Sequence, residues 1–298
     1  MNQHDVYLYG MILITNSYLL AGKYPEPDTY GEITQKYVLP GGETGTSATV
    51  LASLGCQVKM DGTHMGKNTY PKIAKFYEDK TVDITSLYLD DSFDGLEDYV
   101  IIDQTTRTPF GMFQQYFSDE KKRWNAPLEE DIISCKVAGI DPFFQAQSEK
   151  TAELCQKHHK PFVMIDAPYD SILHQYSSIH VISTEFIHNQ YPEADRNQLF
   201  EEYTQRTNGL VLFTHGAKDI MYGRKGEPVR HFQPYRVPVV STLGAGDTFK
   251  AGCVYALLHQ MNDEETVKFA SAAAASACSS FPIPLDPPTL EKIERIYS

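Results

Sequence analysis

The sharpest chemical signal in the chain is Ser241-Thr242-Leu243-Gly244-Ala245-Gly246-Asp247-Thr248-Phe249, which follows Val237-Pro238-Val239-Val240 and opens a stretch of helical spacing that runs to Leu258. Two glycines separated by alanine let the backbone turn tightly into a helix and leave the N–H groups of its first turn unpaired. Such an end carries partial positive charge and holds anions. Asp247 stands in the same turn, where a carboxylate can accept the proton of a hydroxyl aimed at the same point. Donors that stabilise charge on a transferred phosphoryl group, beside a carboxylate that deprotonates the nucleophile, suit phosphoryl transfer. The motif is not a Walker loop, because no Gly-x-x-x-x-Gly-Lys-Ser/Thr occurs in the chain.

A second glycine-rich turn, Pro40-Gly41-Gly42-Glu43-Thr44-Gly45-Thr46-Ser47-Ala48, feeds a helix that ends at Leu54-Gly55. Its glycines permit close approach of a ligand to the backbone, and Glu43 and Thr46 offer side chains there. For both turns an ordinary capped helix start is the bland alternative. Cys155, His158 and His159 lie close together but lack the second ligand pair of a tetrahedral zinc site, so they read as a solvated helix end.

These motifs need a scaffold, and the hydrophobic pattern describes one. Strand-length apolar runs at Val6–Ile14, Val58–His64, Lys136–Ile140, Phe162–Asp166, His180–Ser183 and Gly209–Thr214 alternate with helical stretches at Ser47–Leu54, Tyr70–Tyr77, Lys150–His158 and Gln198–Gln205. That alternation predicts βαβ units around a mainly parallel sheet. A hairpin (Ile220–Arg224 with Pro228–Phe232) then precedes two helices, Ala245–Leu258 and Glu264–Cys278. The small-residue tract Ala270–Ala277 predicts close packing against a neighbouring helix or a flat ligand. Leu19–Leu39 and Asp98–Phe117 read as extended β segments without a prompt crossover helix, which predicts a small second sheet able to close over a cleft.

The 298 residues carry 26 Lys and Arg against 39 Asp and Glu, a net charge of −13, with 42% hydrophobic and 22% charged residues. This is the composition of a packed globular protein, not of a disordered or fibrous one. Its acidity disfavours nucleic acid and anionic membrane surfaces. The first residues lack the basic n-region and unbroken apolar core of a secretory signal, and the run at 6–14 is too short to span a bilayer. Five scattered cysteines without a Cys-x-x-Cys pair predict reduced thiols, hence a cytoplasmic protein.

In its two glycine turns, its lid-like segments and their order, nearly the whole chain resembles the ribokinase-like (PfkB) carbohydrate kinases. The resemblance implies a doubly wound three-layer α/β/α fold with a mainly parallel sheet and a small inserted β lid. It would form one kinase domain over 1–298, with lid segments at about 16–40 and 96–117. It also implies ATP-dependent phosphorylation of a hydroxyl on a sugar or sugar-like small molecule, with Mg²⁺. Asp247 would be the general base, and the amides of Gly244, Ala245 and Gly246 the anion hole. Thr214, Gly216 and Thr242 would join Gly244 and Gly246 at the nucleotide. Thr15, Gly41, Gly42, Glu43, Thr46, Arg107 and Asp247 would meet the substrate, and Glu185 would act on the metal through water. A homodimer through the lid is an open expectation.

The chain also departs from the family pattern. Thr15 stands where members carry an Asp, Glu43 and Thr46 where they carry asparagines, Ser241 for the first Asp of the late motif, and Asp219 for a glycine. Ser183-Thr184-Glu185 occupies the place of an Asn-x-x-Glu segment without the Asn. These changes alter the hydrogen bonds the pocket offers, and buried polar groups discriminate sharply between substrates. A nucleotide- or sugar-binding regulatory protein of the same fold is the alternative, and the presence of Asp247 speaks against it. A nicotinamide-dependent oxidoreductase would share the alternation, but the first-strand dinucleotide fingerprint is missing.

Overall fold

The structure, a computed structural model, describes residues 4–103 and 106–297. Residues 1–3 and 298 of the predicted kinase domain 1–298, and residues 104 and 105 of the predicted lid segment 96–117, lie outside the described residues. In chain order the strands are β1 (Val6–Gly10), β2 (Leu13–Leu20), β3 (Ile33–Gly41), β4 (Val58–Gly62), β5 (Met65–Gly66), β6 (Val82–Asp83), β7 (Leu89–Asp90), β8 (Glu97–Ile102), β9 (Arg107–Gly111), β10 (Val137–Ile140), β11 (Phe162–Ile165), β12 (Ile179–Ser183), β13 (Leu210–Thr214), β14 (Ile220–Gly223) and β15 (Arg230–Phe232).

The main sheet has the order β15-β14-β13-β12-β11-β10-β1-β4-β6. It is parallel from β13 to β6 and closes at one edge with the antiparallel hairpin β14–β15. Alternation along β1 sends Val6 and Leu8 into one core and Tyr7 and Tyr9 into the other, so the sheet is covered on both faces. Helices Glu43–Ser53, Ala245–Leu258 and Asp263–Cys278 pack on the Val6–Leu8 side, and Ala146–Lys157 packs on the Tyr7–Tyr9 side. This is the doubly wound α/β/α arrangement. The chain leaves β1 toward β4 and later returns to β10 on the other flank, so β1 and β10 mark the topological switch point where such sheets open a crevice.

A second sheet of order β3-β2-β8-β9 stands apart from the first. Its register aligns Leu39, Thr15 and Asp98 in one row and Val38, Asn16, Tyr99 and Phe110 in the next. Because the side-chain period of a strand is two, the rows face opposite sides. Leu39, Thr15 and Asp98 line a cleft, whereas Val38, Tyr99 and Phe110 are exposed.

Two sequence expectations need correction. The run Val6–Ile14 is not one strand: β1 ends at Gly10 and β2 begins at Leu13. The break arises because the Met11 amide donates to the Asp141 carboxylate (2.9 Å) and the Ile12 amide to the Thr63 hydroxyl (2.9 Å), which draws the chain out of the first sheet. The run Met112–Phe117 is not extended, since Phe113–Ser118 is a helix. Phe113, Tyr116 and Phe117 share the i, i+3, i+4 spacing and join the aromatic cluster around Trp124, which a strand could not achieve. In the Ala270–Ala277 tract the close partner is a helix: a Cβ at Gly252 would come within 2.7 Å of the Ala270 Cα.

Candidate functional site

One cleft of about 970 Å³ opens between the carboxyl ends of the parallel strands and the second sheet. All fourteen residues singled out from the sequence line it: Thr15, Gly41, Gly42, Glu43, Thr46, Arg107, Glu185, Thr214, Gly216, Thr242, Gly244, Ala245, Gly246 and Asp247. They come from six separate segments of chain, so the fold, not proximity in sequence, assembles them.

Two helices begin at this cleft, and each is headed by a glycine with left-handed φ: Gly42 (φ 79°) before Glu43–Ser53 and Gly244 (φ 77°) before Ala245–Leu258. Each glycine is required twice over, by its φ and by crowding. A Cβ on Gly42 would lie 2.5 Å from the Met11 carbonyl oxygen, and one on Gly244 would lie 2.8 Å from Ile283 Cδ1. Gly246 differs, because a Cβ there would meet no protein atom within 4 Å. The space beyond its Cα is open to the cleft.

The two helix starts are not equivalent as anion sites. The Thr44 and Gly45 amides donate to the Met11 carbonyl (3.0 and 3.4 Å), so the first glycine turn presents side chains and has few amides to spare. At the second turn the Ala245 amide is directed back to the Thr242 carbonyl (3.3 Å). Among the described residues, the amides of Gly244, Gly246 and Asp247 have no protein acceptor. Of the expected trio 244–246, Ala245 is engaged, and the amides left free in this turn are those of Gly244, Gly246 and Asp247. The Arg107 guanidinium donates to the same Thr242 carbonyl (2.6 Å), fastening the second sheet to this turn.

Below both helix starts lies a feature missed in the sequence. Lys250, one turn beyond Asp247, forms an ion pair with Asp141, and both side chains are 0% exposed. Asp141 follows β10, and its other oxygen accepts from the Met11 amide (2.9 Å) and the Thr44 hydroxyl (2.8 Å). The pair therefore ties the β1–β10 switch point to the first turns of both helices. A lysine inside the otherwise apolar helix Phe249–Ala256 was the available signal, because a buried lysine needs a partner.

The electrostatics follow from this enclosure. Burial raises the Asp247 carboxyl to about 6, with Lys250 pulling it down, Asp141 pushing it up and Arg107 opposing. Burial, then the neighbouring Asp247 and Asp141, hold Glu43 well above the usual carboxylate range. Asp98, on the second sheet beside Thr15, is also raised to about 6 by burial. Asp166, after β11, is raised to about 6 by burial and by Glu185, although it accepts from the Ser183 amide (2.7 Å) and hydroxyl (2.9 Å). Asp98 and Asp166 line the cleft and belong to no short motif.

At the far end, Ser183 caps the helix Thr184–Gln190, which places the exposed Glu185 in its first turn near Asp166. The Thr184 hydroxyl donates to the Thr214 carbonyl (2.7 Å), and a Cβ at Gly216 would meet nothing within 4 Å. Asp219 is held outside the cleft lining by Arg196 (2.9 Å). Among the described residues no group of three or more His, Cys, Asp or Glu is placed to hold a metal ion. A hard divalent cation that uses one or two carboxylates together with substrate phosphates fits Asp166 and Glu185 better than a protein cage. Among the described residues no helix is long and apolar enough to cross a membrane.

The model of the pfkB family carbohydrate kinases matches residues 4–282. A 5-dehydro-2-deoxygluconokinase of Halalkalibacterium halodurans is 27% identical over 135 residues, 44% of this chain and 40% of that protein. A ribokinase of Haemophilus influenzae is 38% identical over 88 residues, 28% of each. These alignments span well under half the length of the curated relatives. The structure of a ribokinase of Arabidopsis thaliana complexed with ribose and ATP superposes with a TM-score of 0.81 at 17% identity, covering 98% of both chains.

Proposed function

We propose, from the premise that this chain belongs to the pfkB family of carbohydrate kinases, that it transfers the γ-phosphoryl group of ATP to a hydroxyl of a small sugar-like acceptor. The observation that carries this reading is the meeting, in one cleft, of a glycine-headed helix start with unpaired amides and a half-buried carboxylate in the same turn.

Asp247 accepts the proton of the acceptor hydroxyl, whose oxygen takes the phosphoryl group while ADP leaves. A group raised to about 6 is largely ionised at neutral pH yet more basic than an ordinary aspartate, which suits a general base. The amides of Gly244, Gly246 and Asp247 take the charge that spreads over the phosphoryl oxygens. Thr214, Gly216 and Thr242 border the nucleotide end, while Thr15, Gly41, Gly42, Glu43 and Thr46 border the acceptor end. Arg107 positions the turn through Thr242 and adds positive charge beside it. Asp166 and Glu185 would hold Mg²⁺, directly or through water. There it would supply positive charge that offsets the charge of the phosphate oxygens.

The second sheet acts as a lid that excludes water and limits idle ATP hydrolysis. Its exposed outer row, Val38, Tyr99 and Phe110, supports a homodimer through the lid. A cytoplasmic setting suits the five free cysteines. The test is ADP formation across sugars, amino sugars, polyols and nucleosides. Acceptor-dependent ADP release is expected, and nucleotide binding without release from any acceptor would favour a regulatory binding protein.

A further inference from the structure

The charge at the acceptor end of the cleft is lopsided. Three carboxyl groups line it: Asp98 from the lid, Glu43 from the first glycine turn and Asp247 from the second. They are contiguous through packing, because Thr15 pairs with Asp98 across β2–β8 and lies over Gly41, while Thr46 packs against Gly244. Arg236 also lines the cleft; the two cations that act on Asp247, Lys250 and Arg107, are both engaged. Lys250 is bound by Asp141 beneath the floor, and Arg107 sits at the rim on the Thr242 carbonyl.

Neither Glu43 nor Asp98 is neutralised by the protein. No ion pair joins either one among the described residues, and the Oδ1 atom of Asp98 is buried without a hydrogen-bond partner. Phe113, Phe143 and Phe281 line the same cleft and present aromatic surface. Carboxylates with aromatic walls in an enclosed site suit an ammonium group, which satisfies the carboxylates and is attracted by the ring faces. Burial and the neighbouring Asp247 keep Glu43 protonated beside a neutral polyol, whereas an ammonium group next to it restores the carboxylate and pairs with it.

We propose that the acceptor carries a protonated amine close to the hydroxyl that is phosphorylated, and that Glu43 and Asp98 select it. The substrate class is thus an amino sugar or amino polyol. This inference rests on the kinase reading of the cleft and specifies its acceptor.

The test pairs calorimetric binding with ADP formation for 2-amino-2-deoxyhexoses and amino polyols, each beside its N-acetyl derivative and its hydroxyl parent. The N-acetyl compounds keep the amine's position and remove its charge. The expected result is that at least one amine binds about tenfold or more tightly than both neutral counterparts, the scale of a charge-assisted hydrogen bond. Glu43→Gln and Asp98→Asn should each erase most of that preference while ATP binding, measured on the same samples, stays unchanged and reports an intact fold. Equal or tighter binding of the neutral compounds, no binding by any amine, or a preference untouched by both substitutions would overturn the inference. Phosphorylation of neutral acceptors alone would overturn it while sustaining the kinase reading. An amine preference in binding without ADP release from any acceptor would reject the transfer and with it the placement of the amine beside a phosphorylated hydroxyl.

Discussion

At the scale of single residues, the site is defined by where protein atoms are missing as much as by where they stand. Gly246 has normal helical backbone and open space beyond its Cα, so the folded chain alone has no use for a glycine there. Gly246→Ala should leave thermal stability unchanged or raise it, by up to about 1 kcal/mol, while the added methyl weakens ATP binding by about tenfold. Calorimetry and a melting curve on one preparation check both parts. A second residue-scale prediction concerns His174 and His180, both buried, which bond through their Nδ1 atoms at 2.7 Å. The Ala167 amide donates to His180 Nε2, and the outer nitrogen of His174 meets the Tyr203 carbonyl at 2.9 Å. This chain of donors admits one neutral arrangement, with the proton on Nδ1 of His180 and on Nε2 of His174. Nitrogen-15 spectra should show those two tautomers at pH 6, with His174 remaining uncharged until about pH 4, where burial has moved it.

At the scale of elements, the buried Lys250–Asp141 pair holds two helices and the sheet's switch point in one geometry while exerting opposed charges on Asp247. Lys250→Met removes the cation that lowers the Asp247 carboxyl, so the acid limb of the kcat/KM profile, expected near pH 6, should move to higher pH. Asp141→Asn leaves the cation unopposed, and the limb should move to lower pH. Each variant loses about 3–5 kcal/mol of stability because one buried charge is left unpaired. A merely structural pair would cost stability without moving the limb in opposite directions. These elements also show what could be read in the sequence. Helix Ala245–Leu258 begins and ends where its spacing and glycine start imply, since capping and periodicity are local signals. Asp98, Asp141 and Asp166 could not be found that way, because each gains its partners from strands or helices distant in sequence: Asp98 by register with Thr15, Asp141 by meeting Lys250, and Asp166 by meeting Ser183. The break in the Val6–Ile14 run escapes a local reading for the same reason, being set by Asp141 and Thr63 from elsewhere in the chain.

At the scale of the whole molecule, a doubly wound layer supplies the floor of the cleft and the second sheet its cover, joined at the turn by Arg107. Arg107→Ala should lower acceptor phosphorylation and raise the share of ATP lost to water, read as ADP formed without phosphorylated product. Hydrogen exchange in 13–20 and 97–102 should slow when ATP and acceptor are both present, if the cover closes on them. The alternation of strands and helices made the layers legible, whereas the use of the cover depends on which row of its register faces inward, a property of pairing. The most direct test of the account is acceptor-dependent ADP formation by Asp247→Asn, measured with ATP affinity on the same protein. Turnover should fall about 10²- to 10⁴-fold, the usual weight of a general base, with ATP affinity within about twofold of the parent. Turnover close to that of the parent protein would contradict it.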